Sequence, residues 1–181
     1  MGDPLREEDV VLRDGRTVTV RPAESDDAAA LLENINLVCA EEIYLLMDEV
    51  PNDVDREREW IAAFDGHGSA LLVATTGGSI VGQVDCRGGE WSKSRHVGLV
   101  GIAIRDGWRE IGLGRILMDR ILEWMRARGF RKAELSVFAT NERARRLYES
   151  AGFQVEGVLK RQFRIRGEFV DDIRMGKWLG E

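Results

Sequence analysis

The stretch G-I-A-I-R-D-G-W-R-E-I-G-L-G-R-I-L, residues 101–117, decides how this chain is read. Gly101-Ile102-Ala103-Ile104 is a short apolar run suited to a buried strand. Arg109-Glu110-Ile111-Gly112-Leu113-Gly114 leads from it into a helix with apolar positions Leu113, Ile116, Leu117, Ile121, Trp124 and Met125. Those spacings are mostly three and four, the period of a helix burying one face. Arg126, Arg128 and Gly129 supply the basic last turn and glycine stop expected at its end. At its start, the first N–H groups lack partners and carry partial positive charge. Glycines there let a backbone approach a ligand closely, so the turn suits a phosphate or pyrophosphate, with Arg109 and Arg115 adding charge. No G-x-x-x-x-G-K-S/T stretch occurs, which removes a Walker loop. A G-x-G-x-x-G fingerprint fails at its third glycine, where Leu117 stands. Glu134 lies near the right distance for a ribose-binding acid but near a strand start, so a Rossmann-type nucleotide-cofactor enzyme stays only as an alternative.

Further along, after Leu135-Ser136-Val137, come Asn141, Ala144, Leu147-Tyr148 and Gly152-Phe153. Together with Arg109, Gly112 and Gly114, the residues from Asn141 to Phe153 resemble the two signatures of the GCN5-related N-acetyltransferase (GNAT) superfamily. The tail, from Glu156-Gly157 through Phe163-Arg164, Gly167 and Asp171 to Met175, looks like the bacterial subgroup acting on small amines, amino acids or ribosomal-protein N-termini. The resemblance spans roughly residues 16–178. It implies an α/β (α+β) fold with a central mixed, mostly antiparallel, splayed sheet of about seven strands flanked by about four helices. It implies acetyl-CoA as donor and no metal. Backbone groups of Ile102, Ala103 and Ile104 would pair with the pantetheine arm. The N–H groups of Arg109, Glu110, Ile111, Gly112, Leu113, Gly114 and Arg115 would hold the pyrophosphate. Asn141 and Ala144 would border the pantetheine, and Tyr148 would protonate the departing thiolate. Glu110 and Ile111 depart from the family, which often has glycine and a basic residue there. An acid beside a pyrophosphate is unfavourable unless its side chain turns to solvent.

Outward from this segment, Arg16 to Pro22 reads as a first strand, and Ser25 caps a helix through about Ala40. A second helix runs from about Val54 to Phe64. Ala70 to Ala74 and Ile80 to Cys86 form a hairpin around Gly77-Gly78. Val97 to Ile104 is the next strand; Gly98 and Gly101 within it suggest a bulge or a close approach. In the family a bulge there splays two strands to admit pantetheine. Ala133 to Phe138 is a strand and residues 141–151 a helix. Phe153 to Arg164 and Phe169 to Trp178 close the fold as a hairpin around Gly167. Residues 1–12 are expected to be a flexible extension and residues 13–181 a single N-acetyltransferase domain.

Charge is distributed unevenly. Residues 1–100 carry 9 basic and 20 acidic residues, whereas residues 101–146 carry 11 basic and 6 acidic. The basic block coincides with the anion turn, which suits a ligand such as CoA. The net charge of −6 and the lack of an aromatic-basic stripe argue against nucleic acid. No apolar run reaches the ~18 residues of a membrane span, and the acidic start lacks a signal-peptide pattern. Cys39 and Cys86 are isolated, which suits a reducing cytoplasm. His67 and His96 form no cluster with cysteine, so a zinc site is not expected.

Acetyl transfer to an amine needs a neutral amine, a donor to the oxyanion and a proton for the thiolate. Direct attack needs no protein nucleophile, and no convincing Cys-His or Ser-His pairing appears. The base is open. Related enzymes often carry an acid where this chain has Leu99, which leaves Glu42, Glu90, His96 or a wire of waters. Residues 24–59 hold twelve acids against Arg56 and Arg58. This wall, with Glu41, Glu42 and Tyr44 nearest the pocket, suits a cationic small-molecule amine or peptide N-terminus. A non-catalytic acyl-CoA sensor is the competing reading of the same fold. Trp178 and the last hairpin could support a homodimer.

Overall fold

The computed structural model describes residues 4–180. Eight strands form one sheet: β1 (Glu8–Val11), β2 (Thr17–Pro22), β3 (Ser69–Thr76), β4 (Ser79–Gly88), β5 (Val97–Ile104), β6 (Lys132–Phe138), β7 (Gln154–Ile165) and β8 (Glu168–Trp178). Their spatial order is β1-β2-β3-β4-β5-β6-β8-β7. Four helices complete the described residues: α1 (Ala28–Cys39), α2 (Val54–Ala62), α3 (Leu113–Ala127) and α4 (Glu142–Ser150). Every neighbouring strand pair is antiparallel except β5 with β6. A doubly wound dinucleotide-binding sheet is mostly parallel, so the Rossmann alternative is excluded.

The eighth strand is β1, in a segment expected to be a loose extension. Residues 8–11 instead pair with β2 from Glu8↔Val20 to Val11↔Thr17. Arg120 of α3 holds this end in place: it donates to the Pro4 carbonyl at 3.1 Å and pairs with Glu8. Residues 1–3 of the expected extension lie outside the described residues.

Both faces of the sheet are covered. On one, α3 buries Leu113, Leu117, Met118, Ile121, Trp124 and Met125 completely, and Ala144, Leu147 and Tyr148 of α4 join the same cluster. The helical spacing read from the sequence therefore marks a core face. On the other, Ala28 and Leu31 of α1 and Ile61 of α2 pack against Leu71, Val73 and Ile80. Farther along α1, Ile35, Val38 and Cys39 meet Ala103 of β5, with Tyr44 and Leu45 beside them. Asp53 caps α2 by accepting from the Arg56 N–H at 2.9 Å. Ser25 is not the cap of α1, because residues 25–27 form a 3-10 turn first. There the Asp27 carboxylate accepts from the Glu24 N–H at 2.8 Å and takes both prongs of Arg21.

The feature that positions the site is a splay. β5 and β6 pair only from Val97↔Lys132 to Leu99↔Glu134, and beyond that they diverge. No bulge in β5 against β4 causes it, since that register runs unbroken from Gly88↔Gly98 to Gly82↔Ile104. Gly98 is small for packing: a side-chain carbon there would lie 2.6 Å from both Cys86 Sγ and Met125 Cε. The register shifts instead at Ala74/Thr75, between β3 and β4.

Candidate active site

The diverging strands open a cleft of about 590 Å³. Its walls come from β5 (Val100 to Ile104), β6 (Ser136, Val137), the turn into α3 and the inner face of α4. Because β5 has no partner beyond Leu99 on this side, its backbone from Val100 to Ala103 presents an unpaired edge to the cleft. An extended amide-bearing chain can bind such an edge as an added strand would.

The anion cradle follows from the glycines. Gly112 caps α3 with φ 98°, a conformation that favours glycine. With no capping side chain, the first N–H groups of α3 stay available for a ligand. Gly114 allows tight packing, since a carbon there would lie 3.0 Å from Leu147 Cδ2 and 3.2 Å from Ile104 Cδ1. The Arg13 N–H donates to the Ile111 carbonyl at 3.0 Å, pinning the turn to the loop between β1 and β2. Ile111 and Leu113 do not line the cleft, and the Leu113 side chain is buried in the core. Only their backbone groups are on offer.

Arg109 is placed differently from expectation. Its Nε donates to the Ile104 carbonyl at 2.7 Å, both terminal nitrogens bind the Glu41 carboxylate, and the guanidinium stacks on Tyr44 at 4.5 Å. The side chain is therefore a tether between the end of β5 and the loop after α1. Arg115 is likewise engaged, with Asp119 and with the Ser150 carbonyl at 2.9 Å. The cleft also borders Arg13, Arg143 and Arg146, which the sequence reading missed. Their signal was the excess of basic residues in the segment containing Arg143 and Arg146; Arg13 carried none.

Glu110 has φ 63°, and its carboxylate borders the mouth of the cleft, 64% exposed and 3.8 Å from Arg143. The left-handed backbone costs about 1–2 kcal/mol for a non-glycine residue. Glu110→Gly relieves that backbone and removes a negative charge near the anion site. The expected result is a KM for acetyl-CoA about threefold lower, or ~0.6 kcal/mol, with Tm raised by a few degrees. An unchanged or higher KM in steady-state kinetics would refute this account of the turn.

Asn141 caps α4, its Oδ1 accepting from the Ala144 N–H at 3.1 Å, and both residues line the cleft. Tyr148 lines it too, while its ring packs 6.1 Å from Phe153. Its hydroxyl bonds no other described residue. Burial pushes the phenol well above its ordinary range, so it keeps its proton at neutral pH.

On the other side of the sheet, Tyr44 and Leu45 close the cleft. Glu41 is held by Arg109, and Glu42 pairs with Arg166 at 3.0 Å over a smaller depression of about 170 Å³. Glu33 pairs with Arg105, and Glu57 accepts from Asn52. Five of the twelve acids, Asp27, Glu33, Glu41, Glu42 and Asp55, pair with arginines, and Glu41 and Glu42, the two nearest the pocket, are thus engaged rather than open to a cation. Glu90 and His96 are also misplaced by the sequence reading. Both are exposed, precede β5 at the end where it still pairs with β6, and are absent from the cleft. His96 serves through its carbonyl, accepting from the Arg131 and Lys132 N–H groups. No cluster of three or more metal-ligating side chains occurs among the described residues. No described helix is long and apolar enough to cross a membrane.

A splayed sheet with a glycine cradle at its mouth defines an acyltransferase-type site. The Acetyltransferase (GNAT) family model matches residues 36–153, and the chain belongs to that family. It is 29% identical over 164 residues to the L-amino acid N-acetyltransferase AaaT of Escherichia coli K12, covering 88% of this chain and 97% of that one. Among solved structures, the GNAT-family acetyltransferase of Streptococcus pneumoniae superposes with a TM-score of 0.85 at 29% identity, covering 90% of this chain and 99% of that one. The putative acetyltransferase yncA of Salmonella typhimurium, solved with its cofactor acetyl-CoA, gives 0.83 at 24% identity, over 91% of this chain and 95% of that one.

Proposed function

We propose that this chain transfers the acetyl group of acetyl-CoA to the α-amine of a free L-amino acid. The observation that carries the transferase reading is the splay, with an open backbone edge on β5 ending at the N–H cradle of α3. In this reading pantetheine lies along Val100 to Ile104 and the pyrophosphate sits over Gly112 and Gly114. The neutral amine attacks the thioester carbon, a C–N bond forms, the nitrogen gives up its extra proton, and the oxyanion collapses with loss of the C–S bond. Tyr148 donates its proton to the leaving sulfur.

The acceptor reading draws on AaaT, whose name gives its substrate class, and on one arginine. Arg174 of β8 sits opposite Ser136 in register, so the two side chains share a face. Ser136 lines the cleft. Asp172, fully buried on the same strand face, has an oxygen 2.7 Å from the Arg174 Nε, a charge contact without hydrogen-bond geometry. The guanidinium donors therefore remain free for a carboxylate. Arg174→Met is expected to raise KM for an L-amino acid about tenfold, or ~1.4 kcal/mol. KM for the matching amino-acid amide should change less than twofold. Equal effects on both substrates would contradict a carboxylate contact.

A further inference from the structure

The base expected on β5 is missing. Its position holds Leu99, which is 55% exposed, and neither Glu90 nor His96 reaches the cleft. A carboxylate on the neighbouring strand lies next to the vacated place, packed against Gly101 at the cleft wall and not itself lining the cleft. Asp85 of β4 pairs in register with Gly101 of β5, the first cleft-lining position on the face it shares with Leu99. Directly opposed residues of antiparallel strands project on one face. Gly101 has no side chain, and the Asp85 carboxylate fills the space: a carbon on Gly101 would lie 2.8 Å from Asp85 Oδ1.

Extending the β5–β6 register past Leu99↔Glu134 brings Gly101 level with Ser136, and Ser136 pairs with Arg174. One row across the sheet thus runs Asp85, Gly101, the splay, Ser136 and Arg174. Neither end residue lines the cleft itself, but an amino acid in the splay would have the carboxylate behind one wall and the guanidinium beyond the other, in the order of its ammonium and carboxylate ends.

The surroundings of Asp85 are poor in charge. The only described cation in ion-pair range is Arg87, at 3.9 Å, and its guanidinium lies over Trp60 and Phe64 near α2. β3 presents Leu71, and α1 presents Asn34, bound to Gln83 at 3.1 Å. The Cys86 thiol beside it is buried and stays protonated, pushed up to about 12 by burial first and by the Asp85 charge second. The Asp85 side chain is 23% exposed, so protons can exchange with water.

We infer that Asp85 is the general base, taking a proton from the acceptor's ammonium group over Gly101. This rests on the acetyltransferase reading above. The N–H bond breaks, the proton goes to an Asp85 oxygen, and the freed lone pair attacks the thioester carbon. After the C–S bond breaks, the thiolate takes the Tyr148 proton, the acylated nitrogen gives its surplus proton to the resulting phenolate, and Asp85 releases its proton to solvent. Burial supports the role by raising the Asp85 carboxyl to about 6, so that it is ionised yet basic near neutral pH.

The test is the pH profile of kcat/KM for an L-amino acid in wild type, Asp85→Asn and Asp85→Glu. Wild type should show an acidic limb near the Asp85 value. Asp85→Asn should lose about 100-fold at pH 7, lose that limb and rise tenfold per pH unit towards the amine's own pKa. Its affinity for acetyl-CoA should stay unchanged. Its Tm at pH 8 should rise, because a buried charge with a raised pKa opposes folding above that pKa. Asp85→Glu should recover part of the rate. Retention of the limb in Asp85→Asn, with kcat/KM within threefold of wild type, overturns the inference while leaving the transferase intact. Should Asp85→Asn fail to fold, a wild-type profile without a limb between pH 5 and 7 overturns it equally. A wild type that binds acetyl-CoA but acetylates no amine defeats the underlying reading instead.

Discussion

Tyr148→Phe is expected to lower kcat by about 100-fold or more, the usual range for loss of a positioned acid. The ring is retained, so its packing near Phe153 and in the α3–α4 cluster should survive. KM for acetyl-CoA and Tm should therefore move little. The hydroxyl is the only group removed, and it bonds no other described residue. A structural role for it would thus leave kcat unchanged, and a variant within threefold of wild type sinks the assignment. The raised phenol pKa adds a second signature. The acid must stay protonated to act, so the wild-type rate should not fall as pH approaches the ordinary tyrosine value of about 10. A non-catalytic sensor of the same fold would show neither effect.

Gly114→Val should abolish measurable acetyl-CoA binding, raising Kd by about 100-fold, or ~2.7 kcal/mol. A single added carbon already meets Leu147 and Ile104 at 3.0 and 3.2 Å. Two more methyl groups must prise α3 from β5 and α4 or project into the cradle. Overpacking of this kind costs about 1–3 kcal/mol of stability, so a fall in Tm of several degrees should accompany it. Isothermal titration at a temperature where the variant is folded separates the two. Affinity within threefold of wild type would show that the ligand does not approach this helix end.

The donor half of the site was legible because its chemistry is local. A strand, two glycines and an amphipathic helix lie within one run, and Asn141 to Phe153 follow at close spacing. The family resemblance then assembled these pieces. The acceptor half depends on partners far apart in sequence, such as Arg109 with Glu41 and Arg166 with Glu42. Glu41 and Glu42, which read as part of an open wall, are held by arginines distant in sequence, and only long-range pairing could reveal that. Asp85 was hidden for a related reason. It stands in an apolar strand, and its meaning appears only when β4 is set against β5 across a loop whose length obscures the register. β1 was missed because Glu7, Glu8 and Asp9 make the segment read as solvated, whereas Val10 packs on the core and Arg120 neutralises Glu8.

The most direct test of the central claim incubates the protein with acetyl-CoA and a panel of L-amino acids, their amides and simple amines. CoA thiol release is followed alongside product mass. Thiol release should match the appearance of an N-acetyl amino acid, with free amino acids preferred over their amides. Acetyl-CoA that binds without amine-dependent thiol release, across the whole panel, would contradict it.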